Sequence, residues 1–155
     1  MTVAVVGAGA VGLSAILTTG LWGASRVIAI DSNKFRLERA IDFGATDAIE
    51  AGADTIGDVI GLTDGLGVDV AIEAVGYPET LLTAAAVVRP GGTIANIGVH
   101  GVPVALPMQE LWIQNVTLTT GLVGHTFTFA AMNEAYDVFA NAAANAALKV
   151  IITPA

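Results

Sequence analysis

The stretch VVGAGAVGLSAILTTGLWGASRVIAID, residues 5–31, decides the fold of this chain. An apolar run, Thr2–Gly7, reads as a strand. Gly7, Gly9 and Gly12 follow as G-x-G-x-x-G, and Val11 to about Trp22 carries a helical pattern. A second apolar run, Arg26–Asp31, closes on an acid. Each glycine has a physical task. Gly7 permits a sharp exit from the strand, Gly9 lets backbone approach a ligand, and Gly12 lets the helix pack close to the sheet. The helix start presents unpaired N–H groups, including those of Ala10 and Val11, and a partial positive charge. That combination suits a pyrophosphate. The bare pattern also serves as a tight strand–helix turn; the strand before it and Asp31 after it make dinucleotide binding the stronger reading.

A carboxylate at Asp31 can accept both ribose hydroxyls of an adenosine and would repel a 2′-phosphate, which favours NAD over NADP. Alone, Asp31 also suits a helix N-cap. Lys34 and Arg36 lie just beyond it, within reach of a ribose or adenine edge, or as solvated charges on a helix.

Outward from this unit the rhythm repeats. Helices are expected at about 33–43, 54–62 and 78–88, and strands near 48–50 and over Val68–Gly76, Thr93–Val99 and Val116–Val123. Arg89-Pro90-Gly91-Gly92 reads as a turn. Alternating strands and helices imply parallel pairing with right-handed crossovers. The expected fold is α/β: a doubly wound, Rossmann-type parallel sheet in three α/β/α layers, ordered 3-2-1-4-5-6. In such a sheet the ligand crosses the carboxyl ends of the strands, where Val75, Gly76, Ile97, Gly98 and Val99 fall. After Val123 the pattern changes. A helix is expected from Phe127 to about Ala142 and a strand over Ala147–Thr153, with Gly124-His125 as a short passage. The expected organisation is one dinucleotide-binding domain, with a core over 1–123 and a shortened tail over 124–155.

Composition agrees. Hydrophobic residues make up 54% and charged residues 13%, as a sheet buried on both faces requires. The net charge of -8 argues against a nucleic-acid footprint. Cysteine is absent, so disulfides and thiolate metal ligands are excluded. No apolar run is long and unbroken enough to span a bilayer. A strand starting directly after Met1, with no signal peptide, gives the expectation of a soluble, cytoplasmic protein.

VVGAGAVGL, RVIAID-x-x-x-x-RLE-x-A-x-x-FGAT, VDVAIEAVG-x-PET, VRPGGTIANIGVHG and LWIQNVTLTTGLV together resemble the zinc-containing medium-chain alcohol dehydrogenases. The resemblance resumes at HTFTFAAMNEAYDVF and ALKVII. It implies an NAD-binding domain of an oxidoreductase that moves hydride between an alcohol and a ketone or aldehyde, with a catalytic zinc polarising the oxygen. It implies pyrophosphate contacts at Gly9, Ala10 and Val11, and ribose contacts at Asp31 and Lys34. Nicotinamide contacts are implied near Ile97, Val99 and Thr119–Gly121, and Lys149 matches a basic position that meets the cofactor phosphates. The part of the family that holds the catalytic zinc is not among these residues. A helix and connection that relatives carry between Val123 and His125 is missing too.

No catalytic or metal-binding residue is therefore expected here. His100, His125 and Glu110 show no compact ligand spacing. Ser14 has no nucleophile elbow, and Tyr77 and Tyr136 lack a lysine four residues on. Glu73, an acid in an apolar strand, is expected to cap backbone at a strand end. The chain alone is expected to bind NAD(H) without alcohol turnover. The alternative is a non-enzymatic NAD-binding regulatory or sensor domain. An S-adenosylmethionine site fits the glycine spacing less well. VPVALP (Val102–Pro107) reads as an apolar edge, a liability unless paired. The family also joins its sheets near here, so a homodimer or larger assembly through residues near 102–122 is expected.

Overall fold

The computed structural model describes residues 1–121, 125–134, 137, 141 and 150–153. The chain separates into two compact units, Met1–Thr120 and Gly121–Ala155. In the first, β1 (Thr2–Val6), β2 (Arg26–Asp31), β3 (Asp47–Glu50), β4 (Val68–Glu73), β5 (Val88–Asn96) and β6 (Thr117–Thr120) form one sheet. Its order is β3-β2-β1-β4-β5-β6 and every pair is parallel, as the alternating pattern requires. The order reverses between β1 and β4.

The pleat sorts the core into two layers. Ala4 and Val6 of β1, with Ile28 and Ile30 of β2, pack under α3 (Thr55–Leu62) and α4 (Pro78–Val87). Val3, Val5, Val27 and Ala29 face the other way, toward α1 (Ala10–Thr19) and α2 (Lys34–Asp42). Successive residues on a strand point to opposite faces, so an unbroken apolar run is what a doubly covered sheet demands. Ile28 and Ile30 are at most 1% exposed; truncating either to alanine would destabilise the fold by about 3 kcal/mol.

The local stops follow the chemistry of single residues. Asn33 caps α2 by accepting from the Arg36 N–H at 3.2 Å. β4 ends at Glu73 and β5 at Asn96, each three residues before the strand end expected from the apolar runs. The Ile97 and Gly98 N–H groups both turn to the Glu73 carbonyl, at 2.9 and 3.1 Å, which terminates the ladder. Arg89–Gly92 forms a bulge inside β5: Val68 pairs with Val88, whereas Val70 pairs with Thr93. Arg89 reaches from the bulge to Asp69, Nε to Oδ1 at 2.7 Å.

Between β5 and β6 lies a helix absent from the sequence reading, α5 (Met108–Gln114). Pro107 precedes it and Asn115, at φ +53°, ends it in the left-handed region. Residues 102–107, expected as an extended edge, form no strand; Val104 and Leu106 pack on the α3–α4 side of the core. β6 is one of the two edge strands of this sheet, β3 the other, and its four residues are all exposed.

In the second unit, β7 (His125–Thr128) pairs in parallel with β8 (Val150–Thr153), His125 opposite Val150. A 3-10 turn over Phe129–Ala131 and helical residues 132–134 follow β7. The helix expected from Phe127 thus yields to a strand at its start, where the sequence HTFT carries β-branched and aromatic types suited to one.

Candidate functional site

The glycine turn joins β1 to α1 and does what its spacing demands. Gly7 sits at φ +96°, and its N–H donates to the Ile30 carbonyl at 2.8 Å. A Cβ at Gly7 would overlap the Val75 side chain, and one at Gly12 would overlap the Gly7 carbonyl. Both positions therefore exclude any side chain. Gly9 is the N-cap of α1, with open space around its absent Cβ and no side-chain cap. The first N–H groups of α1, those of Ala10 and Val11, start an exposed helix end free to meet an anion.

Asp31 ends β2 beside this turn, with its side chain only 6% exposed. Its Oδ2 accepts the Ala8 N–H at 2.8 Å, and its Oδ1 accepts the Asn33 N–H at 2.8 Å. The acid thus holds the glycine turn and the start of α2 together. A carboxylate has about four acceptor sites, so two backbone bonds leave capacity for a ligand hydroxyl. Arg36 places Nη1 3.7 Å from Asp31 Oδ2.

A cleft of about 500 Å³ opens at this point, over the carboxyl ends of β1, β2 and β4. Gly7, Gly9, Asp31 and Val75 line it, together with Ser32, Arg36, Ala51, Ala74, Tyr77 and Thr80. It lies where the strand order reverses, the place at which open α/β sheets take ligands. Of the remaining expected residues, Gly12 packs beneath the turn. Lys34 points away, its Nζ 3.3 Å from Glu50 Oε2 in a separate shallow depression. Gly76, Ile97, Gly98 and Val99 form two touching turns at the ends of β4 and β5, outside the cleft lining. Thr119 lies on the β6 edge, its hydroxyl 3.4 Å from the Ile94 carbonyl. Gly121, at φ +83°, begins the second unit. Lys149 lies outside the described residues. Tyr77 and Thr80 went unnoticed as cleft residues in the sequence. The available signal was the position of PET at the start of a helix directly after the β4 turn.

The sequence has no cysteine, and among the described residues no three His, Asp or Glu side chains converge to hold a metal ion. His100 lies beside Glu73, its Nε2 3.6 Å from Oε2. Among the described residues no helix is long and apolar enough to cross a membrane.

Fold and cleft together define a doubly wound nucleotide-binding domain. The zinc-binding dehydrogenase family model matches residues 10–141, and the chain belongs to that family. It is 42% identical over 111 residues to the NADP-dependent isopropanol dehydrogenase of Thermoanaerobacter brockii, covering 71% of this chain and 32% of the relative. It is 33% identical over 181 positions to an alcohol dehydrogenase of Cupriavidus necator, covering 99% of this chain and 49% of the relative. That alignment is longer than the 155 residues here, so the relative carries residues within the matched span that this chain lacks. Among solved structures, zinc-dependent alcohol dehydrogenase 2 from Streptococcus pneumonia, in its apo form, superposes with a TM-score of 0.76 at 39% identity. The match covers 99% of this chain and 51% of that one. The chain thus spans about half or less of the length of the proteins it matches. The matched span corresponds to the nucleotide-binding part of these relatives, and none of these matches supports the regulatory-domain alternative.

Proposed function

We propose that this chain binds NAD(H), with the adenosine half in the cleft beside Asp31 and the pyrophosphate at the Gly9–Val11 helix start. One observation carries the reading: a buried carboxylate at the end of β2 that is bonded to the glycine turn itself, through Ala8 N–H. A negative charge there disfavours a 2′-phosphate and accepts ribose hydroxyls. The family includes NADP-dependent members, so the preference rests on Asp31. Arg36 is the cation nearest that carboxylate and softens the preference. The nicotinamide ring, when bound, supplies hydride acceptance from an alcohol or donation to a carbonyl. The residues of this chain bind and orient the cofactor. Among the described residues no cluster of metal ligands stands ready to polarise a substrate oxygen, and the expected behaviour of the chain by itself is cofactor binding without alcohol turnover.

Calorimetric titration tests the reading. Wild-type protein takes up NAD saturably and NADP at least tenfold more weakly, and Asp31→Ala loses most of the NAD affinity. Equal affinity for both cofactors would remove Asp31 as the selector. No binding to the wild type would leave the glycine turn as an element of the fold only.

Self-association is part of the same proposal. α5 exposes Met108, Trp112 and Ile113 at 60%, 71% and 73%, beside the open β6 edge. An apolar groove lined by Leu106, Trp112 and Leu118 runs between them. An exposed strand edge next to apolar side chains favours pairing with a second copy. Sedimentation at micromolar concentration should give a dimer or larger; a monomer would end this part of the proposal. A cytoplasmic location goes with this reading and rests on the sequence alone.

A further inference from the structure

Glu73 is the most buried charged residue of the sheet, 0% exposed at the end of β4. An acid here needs an explanation, because burying a carboxylate is unfavourable unless donors surround it. One oxygen has them. Oε1 accepts the Val75 and Gly76 N–H groups at 2.9 and 2.8 Å and the Thr80 hydroxyl at 2.7 Å. The other has none among the described residues: Oε2 is fully buried without a hydrogen bond.

What Oε2 faces is the turn after β5. His100 Nε2 lies 3.6 Å from Oε2 and 2.9 Å from Asn96 Oδ1. The His100 side chain is 15% exposed, and its Nδ1 is likewise buried without a partner. The two turns touch through glycine. A Cβ at Gly98 would overlap Glu73 Oε2 and the Gly76 nitrogen, and a Cβ at Gly76 would overlap the Val99 carbonyl. Glu73 therefore grips both turns. Its carbonyl takes Ile97 and Gly98, Oε1 takes Val75 and Gly76, and Oε2 looks to His100.

The location gives this grip a use. A dinucleotide whose adenosine half lies beside Asp31 crosses the glycine turn and continues over the ends of β4 and β5. In the turn that carries His100, Val99 is 90% exposed. We infer that Glu73 and His100 form a positioning pair that fixes the 97–100 turn as the platform for the nicotinamide half of the cofactor. The inference rests on the dinucleotide reading above. The pair touches no reacting atom; it acts through the turn. The same His100 nitrogen, Nε2, is thus within reach of both Asn96 Oδ1 and Glu73 Oε2.

The test separates the two halves of the ligand. NADH carries both, and ADP-ribose carries the adenosine and pyrophosphate half without nicotinamide. In His100→Leu, NADH affinity falls about tenfold, ADP-ribose affinity stays within about twofold, and the fluorescence gain of bound NADH is lost. His100→Gln keeps a side-chain N–H donor and recovers most of both signals. A second measurement needs no variant beyond one for assignment. The sequence holds two histidines, so His125→Gln identifies the His100 imidazole resonances. NADH shifts them in the wild type and ADP-ribose leaves them in place. Loss of both ligands together, an unchanged NADH affinity in His100→Leu, failure of His100→Gln to recover it, or His100 resonances that ignore NADH would each overturn the inference. A wild type that binds neither ligand would overturn the dinucleotide reading and the positioning role with it, whereas binding of ADP-ribose alone would overturn only the latter.

Discussion

Asp31 and Glu73 stand at matching places on either side of the strand reversal, one ending β2 and the other ending β4. Both are buried acids that catch backbone N–H groups from a glycine turn. They differ in what is left over. Asp31 spends one bond from each oxygen and borders an open cleft, with Arg36 beside it. Glu73 loads three bonds on one oxygen and leaves the other facing a histidine inside the protein. The same chemistry at two strand ends thus makes a ligand-facing acceptor in one place and an internal brace in the other. Neighbouring geometry decides: the β2 end opens on small residues, whereas the β4 end is roofed by the turn after β5.

The largest effect should come from the brace. Glu73→Ala strands the Val75 and Gly76 N–H groups and opens a cavity, and should lower stability by about 3–4 kcal/mol in urea unfolding. A loss under 1 kcal/mol would mean that the turns hold without it. Asp31→Ala leaves two donors near solvent and should destabilise by about 2 kcal/mol while removing most NAD affinity. If stability falls and binding survives, the two acids are both braces and the contrast collapses.

A third acid sharpens the comparison from outside the site. Asp69 accepts the Thr2 N–H at 2.6 Å and Arg89 Nε at 2.7 Å. The Thr2 bond first, and then Arg89, hold its carboxyl below the usual value. A carboxyl lowered by folding stabilises the fold at pH above its unfolded value and loses that contribution as pH falls through the folded one. Asp69→Asn should therefore cost about 1 kcal/mol at neutral pH, for a pair that is partly exposed. The difference from wild type should shrink below about pH 4. A gap that stays constant down to pH 2 would contradict the assignment.

The smallest effects concern the two cations after Asp31. Lys34→Ala should change stability by no more than about 0.5 kcal/mol, because its pairing with Glu50 is exposed. It should also leave cofactor affinity unchanged. Arg36→Ala, at the cleft, should shift the NAD to NADP ratio further toward NAD. The reverse ranking would move the ribose contact to Lys34.

Much of this was legible in the sequence. Alternation of apolar strands and helical segments implied the parallel sheet, and Gly7, Gly9 and Asp31, singled out by their spacing, are among the residues that line the cleft. Strand ends were less legible. VDVAIEAVG and TIANIGV continue in apolar residues past Glu73 and Asn96, whereas hydrogen bonding to Glu73 stops both ladders. α5 escaped because prolines at 103 and 107 made the segment before it look extended throughout. β7 is hard to see because HTFT runs directly into a segment with helical spacing. Lys34 and Arg36 are both near Asp31 in sequence, and only the helical turn decides which one faces the cleft. The brace between Glu73 and His100 spans 27 residues of chain, and no local pattern announces it.

Backbone amide resonances of the labelled protein, followed as NAD is added, test the central claim most directly. The account predicts shifts centred on Gly7, Ala8, Gly9, Ala10 and Val11, on Asp31 to Asn33, on Val75 and on Ile97 to His100, with the Lys34–Glu50 surface silent beyond them. Shifts confined to other surfaces, or none at saturating NAD, would contradict it.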